Sequence, residues 1–119
     1  MARVAGESAR RQEHDADEGF ELHPGAESDI TSIWEFIAED NPHAAGRVRE
    51  DILDAIRGLI PFPRQGHQRT DLTSRPLRFR TVRNYLIAYA PDEKPLLILA
   101  VLHGRRSPRV IAAILRGRK

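Results

Sequence analysis

The sequence predicts an α+β domain in which a helical hairpin packs on a small antiparallel sheet, with the element order β-α-α-β-β-β-α. Two stretches with apolar residues at helical spacing follow a short first strand, and three β-rich runs come next. A short amphipathic segment ends the chain. Helices that precede a group of strands favour packing of the helices on one face of the sheet, and short connections between strands favour antiparallel neighbours.

The 119 residues fit a single domain, which we place at residues 19–119. Residues 1–18 are polar and lack apolar periodicity, so we expect a disordered extension, and they lack the apolar centre of a signal peptide. The longest apolar run, residues 96–102, is far shorter than the ~20 residues of a membrane helix. With no cysteine in the chain, these features favour a cytoplasmic protein without disulfides or a membrane anchor.

The first half of the domain reads as a strand and two helices. Residues 20–23 alternate apolar and polar side chains before Pro24-Gly25. The apolar stripe of the first helix consists of Ala26, Ile30, Ile33, Trp34, Ile37 and Ala38. We expect Trp34 to pack in the core or between the helices. Asn41-Pro42 is a helix-start signal, and the second stripe consists of Ala45, Val48, Ile52, Ile56, Leu59 and Ile60.

The second half reads as three strands and a final helix. Residues 77–82, 85–90 and 96–102 are rich in β-forming residues, and the last run is apolar throughout, as a central strand would be. In the first run the alternation predicts Leu77, Phe79 and Thr81 inward and Arg78 and Arg80 outward. Residues 108–115 show helical spacing before Gly117.

Charge is distributed unevenly along the chain. Residues 20–42 contain six acidic residues and no Lys or Arg, whereas residues 43–119 contain sixteen basic and six acidic residues. A basic region of this strength suggests an anionic partner, either nucleic acid or an acidic protein segment, although a merely solvated face gives the same pattern.

Four strings in this order resemble the RelE/ParE family of type II toxins, closest to the ParE branch, over about residues 20–115. They are Pro24-Gly25-Ala26-Glu27-Ser28-Asp29-Ile30, residues 37–45, Tyr85-Leu86-Ile87-Ala88-Tyr89, and Val101-Leu102-His103-Gly104-Arg105-Arg106. The resemblance implies a toxin that inhibits growth and forms a hetero-oligomer with a cognate, ParD-like antitoxin. It also implies that DNA is contacted only through the antitoxin. ParE-like members inhibit DNA gyrase, whereas RelE-like members cut messenger RNA at the ribosome.

The nuclease alternative requires cations and a titratable acid or base around the scissile phosphate. The candidate catalytic residues are His103, Arg80, Arg78 and Arg106, with Arg105 and His67 as further candidates. RelE-like nucleases tend to carry a lysine-rich set, or a His-Tyr or Arg/Tyr pair near the C-terminus. By that resemblance the set is incomplete, because no tyrosine follows Tyr89 and the only lysines are Lys94 and Lys119. His23, His43 and His67 do not have the spacing of a metal site, so we expect neither a metal nor a cofactor.

The gyrase-inhibitor interpretation needs only a binding surface. The candidate residues for binding the target or the antitoxin are Arg105, Arg106, Arg109, Ile111, Ile114 and Leu115. Arginine suits such contacts because its planar fork pairs with carboxylates and phosphates. We also expect apolar groups on the last helix and the sheet to be covered by an acidic, partly disordered antitoxin segment. An inactive family member that only binds an antitoxin remains a third interpretation.

Overall fold

The computed structural model describes residues 19–119, and the expected disorder of residues 1–18 lies outside these residues. The described part contains the predicted elements in the predicted order. They are β1 (Phe20–Leu22), α1 (Pro24–Ala38), α2 (Pro42–Leu59), a 3₁₀ turn (Pro63–Gln65), β2 (Arg78–Val82), β3 (Tyr85–Ala90), β4 (Leu96–His103) and α3 (Pro108–Arg116).

Each helix begins with a side-chain cap followed by proline. His23 Nδ1 accepts a hydrogen bond from Gly25 N at the start of α1. The Asn41 carboxamide oxygen caps α2, and the Ser107 hydroxyl oxygen caps α3. These caps satisfy backbone N–H groups that have no partner within the helix, which explains why the sequence starts its helices at these positions.

The sheet has the strand order β1-β4-β3-β2 and is mixed. Strands β2, β3 and β4 are antiparallel neighbours, as their short connections predict. Strand β1 pairs with β4 in parallel, with Phe20 opposite Leu96 and Leu22 opposite Ile98. The parallel strand was not expected, and it is possible because the long helical hairpin leaves the chain free to pair β1 with a strand far along the sequence. Strand β4 is therefore central.

A β-bulge at Leu99 changes which side chains of β4 face the helical hairpin. Ala88 pairs with Ala100 and Tyr89 pairs with Ile98, so Leu99 has no partner on β3. Ile98 and Val101 thus face the hairpin, whereas Leu99 and Ala100 face the opposite side. The bulge explains how a strand of continuous apolar sequence contributes to two cores.

Both faces of the sheet are covered. The helical hairpin packs on one face, where the core includes Phe20, Ile52, Ile56 and Tyr89. Helix α3 and the segment before β2 pack on the other face, where the second core is formed by Leu72, Leu77, Phe79, Ala88, Leu99, Ala100, Leu102, Ile111 and Leu115. Helix α3 therefore completes the fold as a third layer.

The alternation predicted for β2 is correct for Leu77 and Phe79, whereas Arg78 and Arg80, which were predicted to face outward, are half-buried. Phe79 is buried in the second core and Val82 packs against the first. Thr81, which was predicted to face inward, is exposed, because it lies near the end of the edge strand. No helix in the described part of the chain is long and apolar enough to span a bilayer.

Candidate functional site

Three arginines follow the end of β4 and are free to contact a partner. Arg105 and Arg106 lie in the turn after His103, and Arg109 lies in the first turn of α3. All three are exposed, and within the described residues their side chains make no hydrogen bond or ion pair. We call these residues the arginine cluster. Its guanidinium groups need not break an internal contact before they bind an anion.

The turn that carries the arginine cluster is fixed by backbone contacts. Gly104 N donates to Asn84 O at 2.8 Å, which ties the turn to the β2–β3 hairpin. Arg106 N donates to His103 O, and Arg105 N donates to His103 Nδ1 at 3.1 Å. The fold therefore presents the arginines from a defined turn rather than from a loose loop.

The apolar candidates on α3 face the sheet. Ile111 and Leu115 are 3% and 1% exposed, and Ile114 packs against the same core at its margin. The second face of the sheet is apolar, so the apolar stripe of α3 covers it. The surface that a partner reaches in this region consists of the arginine cluster together with Val110, which is 41% exposed.

A groove of about 350 Å³ separates α1 from the end of β4, beside the arginine cluster. We call it the α1–β4 groove. Its wall combines apolar side chains with polar ones, among them Asp29 and Ser32, and Arg106 of the arginine cluster lies at its rim. The lining residues used below are Ile33, Phe36, Ile37, Tyr85, His103 and Arg106. Apolar walls beside unpaired cations suit a segment that carries both apolar and acidic side chains.

The second half of α1 exposes large apolar side chains, although the sequence placed its apolar stripe in the core. Only Ala26 and Ile30 of this helix are buried. Phe36 is 76% exposed at the groove, and Trp34 is 39% exposed. Trp34 lines a shallow depression next to α2, so it belongs to the surface of the hairpin rather than to its core. Contiguous exposed apolar groups mark surfaces that bind other proteins, and Phe36 forms such a group with Ile33 and Ile37 in the lining of the groove.

His103 is held in an orientation that does not suit a general base. Its Nδ1 accepts the hydrogen bond from Arg105 N, and its ring meets the Tyr85 ring edge-on with 5.5 Å between centroids. Because Nδ1 is the acceptor, the neutral ring carries its proton on Nε2. The imidazole thus offers the groove a donor rather than a basic nitrogen.

The structure does not bring the candidate catalytic residues together. Strand β3 lies between β2, which carries Arg78 and Arg80, and β4, which ends in His103. Two strand spacings separate these strands by about 10 Å. Arg78 also donates to Gly66 O at 2.8 Å, which commits its guanidinium to the loop before β2. Of the four candidates, only His103 and Arg106 share a surface, the α1–β4 groove.

The further candidate His67 and the nearby Tyr89 both serve the fold. His67 forms an antiparallel bridge with Phe79 on the outer edge of β2. Tyr89 is buried, its hydroxyl donates to Pro63 O at 2.7 Å and accepts from Gly66 N at 2.9 Å, and burial raises its pKa. Within residues 19–119 no three His, Asp or Glu side chains are grouped as a metal site requires.

An ion pair that local sequence patterns do not reveal fixes the end of the chain beside the site. The Asp29 carboxylate binds the Arg118 guanidinium through two contacts of 2.5 and 2.9 Å. Asp29 also accepts from Val101 N at 2.9 Å, and Arg118 donates to Leu99 O at 3.1 Å. The pair thus provides hydrogen-bond partners for Val101 N and Leu99 O, which lie on the edge of β4 where β1 has already ended. It also ties the C-terminus to α1.

Comparison with known proteins gives consistent matches. A family model described as the ParE toxin of the type II toxin–antitoxin system parDE matches residues 20–108, more than half of the chain. Toxin ParE2 of Mycobacterium tuberculosis, from strains CDC 1551/Oshkosh and ATCC 25618/H37Rv, is 28% identical over 97 residues. The aligned region covers 82% of this chain and 91% of the relative.

Proposed function

We propose that this chain, which belongs to the ParE toxin family of type II toxin–antitoxin systems, inhibits DNA gyrase through its arginine cluster. We propose further that a cognate, ParD-like antitoxin neutralises it by occupying the α1–β4 groove. The toxin role follows from the family, and the target and the mode of neutralisation are inferred from the surface of the molecule.

The arginine cluster is the observation that supports inhibition by binding. Arg105, Arg106 and Arg109 are exposed and have no internal partner among the described residues, so their charge is available. A guanidinium pairs with carboxylates in a two-pronged geometry and stacks on aromatic rings, which suits contacts with another protein. Inhibition by binding requires only such a surface and no catalytic group.

The arrangement of the remaining candidates favours an inhibitor over a nuclease. RNA cleavage would require a base, stabilising cations and an acid around one phosphate. His103 presents a donor to the groove, and Arg78 and Arg80 lie on a strand that does not neighbour β4. The groups that could form a catalytic centre are therefore kept apart by the sheet.

The α1–β4 groove supports the proposed antitoxin contact. Phe36 offers apolar surface that the fold itself leaves uncovered, Ile33 and Ile37 line the groove while they pack against the first core, and Arg106 adds positive charge at the rim. An amphipathic segment with acidic residues beside its apolar face fits this combination. Because Arg106 belongs to both surfaces, an antitoxin in the groove would also block access to the arginine cluster.

A DNA supercoiling assay with purified gyrase tests the proposed target. We expect the toxin to inhibit supercoiling and Arg105→Ala/Arg106→Ala to weaken inhibition by at least tenfold, about 1.4 kcal/mol. The matched control is Arg47→Ala/Arg49→Ala, which removes two exposed arginines of α2 and should retain inhibition. Cleavage of ribosome-bound messages that disappears with His103→Ala or Arg80→Ala, without gyrase inhibition, would instead support the nuclease alternative.

A thermal-shift experiment with the antitoxin tests the groove. When the concentration of free antitoxin is 100 times its Kd, an antitoxin that binds only the folded toxin stabilises it by about 2.7 kcal/mol. Phe36→Ser should reduce this shift, whereas Phe62→Ser, which changes a 70% exposed phenylalanine outside the groove, should preserve it. Equal shifts for both variants would place the antitoxin elsewhere.

A further inference from the structure

The basic surface of the arginine cluster continues along the outer face of α3, and we infer that this extended surface binds the phosphate backbone of duplex DNA. This surface consists of Arg109, Ala113 and Arg116, with Arg105 and Arg106 at its N-terminal end. The inference goes beyond the proposed function, because it concerns DNA binding by the toxin itself in the absence of gyrase. It also departs from the expectation that DNA is contacted only through the antitoxin.

The burial of α3 defines its outer face. Ile111 and Leu115 point into the second core, so the residues on the opposite side of the helix face solvent. At 3.6 residues per turn, Arg109, Ala113 and Arg116 lie on that opposite side. Seven residues separate the two arginines, which places their Cα atoms about 10.5 Å apart along the helix axis. The small side chain of Ala113 lets the helix approach a backbone between them.

Among residues 19–119, no side chain forms an ion pair with the arginines of this face. The sequence has no Asp or Glu after Glu93. Within the described residues, Arg109 and Arg116 make no ion pair or hydrogen bond through their side chains, whereas Arg118 is held by Asp29. Helix α2 differs, because Arg49 and Arg57 lie beside Glu50 and Asp54. Four available guanidinium groups on one surface favour a polyanion, since each can displace a condensed counterion.

The composition of the face favours nucleic acid over an acidic protein. Protein-binding surfaces usually have a buried apolar centre, and the centre of this face is Ala113. Among the described residues the large exposed apolar side chains are Trp34, Phe36, Phe62 and Val110, and of these only Val110 lies on α3, to one side of this face. Phosphate recognition requires exposed guanidinium groups but no apolar anchor. The family match ends at residue 108, so Arg109, Ala113 and Arg116 lie beyond the matched region, whereas Arg105 and Arg106 lie within it.

Fluorescence anisotropy of a labelled duplex of arbitrary sequence, titrated with the full-length toxin at several salt concentrations, tests the inference. Four phosphate contacts predict a slope of about −3.6 for log Kobs against log salt. Affinity should therefore fall about 150-fold between 50 and 200 mM salt. For Arg109→Gln/Arg116→Gln the slope should be about −1.8, and affinity should fall only about 12-fold over the same salt range.

The control variant Arg47→Gln/Arg49→Gln removes the same number of exposed arginines from α2 and should keep the full slope. An equal reduction in both variants would overturn the inference, because binding would then depend on net charge alone. Equal affinity for polyglutamate of matched charge would overturn it in favour of an acidic protein. Since the assay contains no gyrase, an unmodified toxin that inhibits supercoiling but does not bind the duplex refutes this inference alone, and one that binds the duplex without inhibiting supercoiling refutes only the proposed target.

Discussion

Replacing Asp29 with alanine is expected to destabilise the protein by about 3 kcal/mol. Removing one partner of a buried ion pair costs about 3–5 kcal/mol, because the remaining charge stays buried. The side chains of Arg118 and Asp29 are 17% and 14% exposed, which places the effect near the lower end of this range. The substitution also removes the acceptor of Val101 N. Urea unfolding monitored by circular dichroism measures the change in the free energy of unfolding.

The ion pair between Arg64 and Asp92 provides the matched control. Its side chains are 66% and 58% exposed, so water and salt screen the interaction. Asp92→Ala should change the free energy of unfolding by about 0–1 kcal/mol, as is usual for surface pairs. A double-mutant cycle of Asp29→Ala with Arg118→Ala should show coupling beyond the ~0.5 kcal/mol scatter of independent sites.

Two results would contradict this reasoning. If Asp29→Ala were no more destabilising than Asp92→Ala, the Asp29 pair would not contribute as a buried interaction. If the effects of Asp29→Ala and Arg118→Ala were additive, the two residues would act separately. In either case α1 and the C-terminus would be joined by packing alone.

Three further substitutions test the contacts around the site. Burial lowers the pKa of His23, and the positive charges of Arg118 and Arg75 lower it further. The stability that neutral His23 contributes is therefore present above the ordinary histidine pKa of about 6.5 and is lost as the pH falls through the lowered pKa. The urea midpoint of His23→Asn should therefore depend less on pH between pH 7 and 5 than that of the parent protein. Tyr89→Phe should cost about 1–3 kcal/mol in urea unfolding, because two hydrogen bonds are lost. A Cβ at Gly25 would lie 2.4 Å from Arg118 Nε, so Gly25→Ala should lower the melting temperature in the parent but not in an Arg118→Ala background.

The element order could be predicted from the sequence because it depends on local signals. Asn41-Pro42 marks the start of α2, and the apolar run of β4 marks a central strand. The parallel pairing of β1 could not be predicted, because it joins residues more than seventy positions apart and no local pattern records it. The bulge at Leu99 was hidden for a different reason: an alternation cannot be read from a strand in which every residue is apolar.

The candidate site was predicted in part. The arginine cluster was identified from its charge and from its place after an apolar strand, and the structure shows its side chains exposed. Helical periodicity showed that Ile111 and Leu115 share a face with Ile114, but it could not show whether that face meets the sheet or a partner. The same limitation applied to α1, where Trp34 of the predicted stripe is 39% exposed. The Asp29–Arg118 pair gave no signal, since its residues lie at opposite ends of the domain.

Helix α3 combines two roles, and this determines how its function can be studied. One side covers the second core with Ile111 and Leu115, and the other side exposes Arg109 and Arg116. Deleting the helix would remove the charges and also expose the apolar face of the sheet, so a loss of toxicity after truncation would not distinguish unfolding from a lost contact. Arginine-to-glutamine substitutions on the outer face leave the core unchanged, and they separate the contribution of charge from that of the fold.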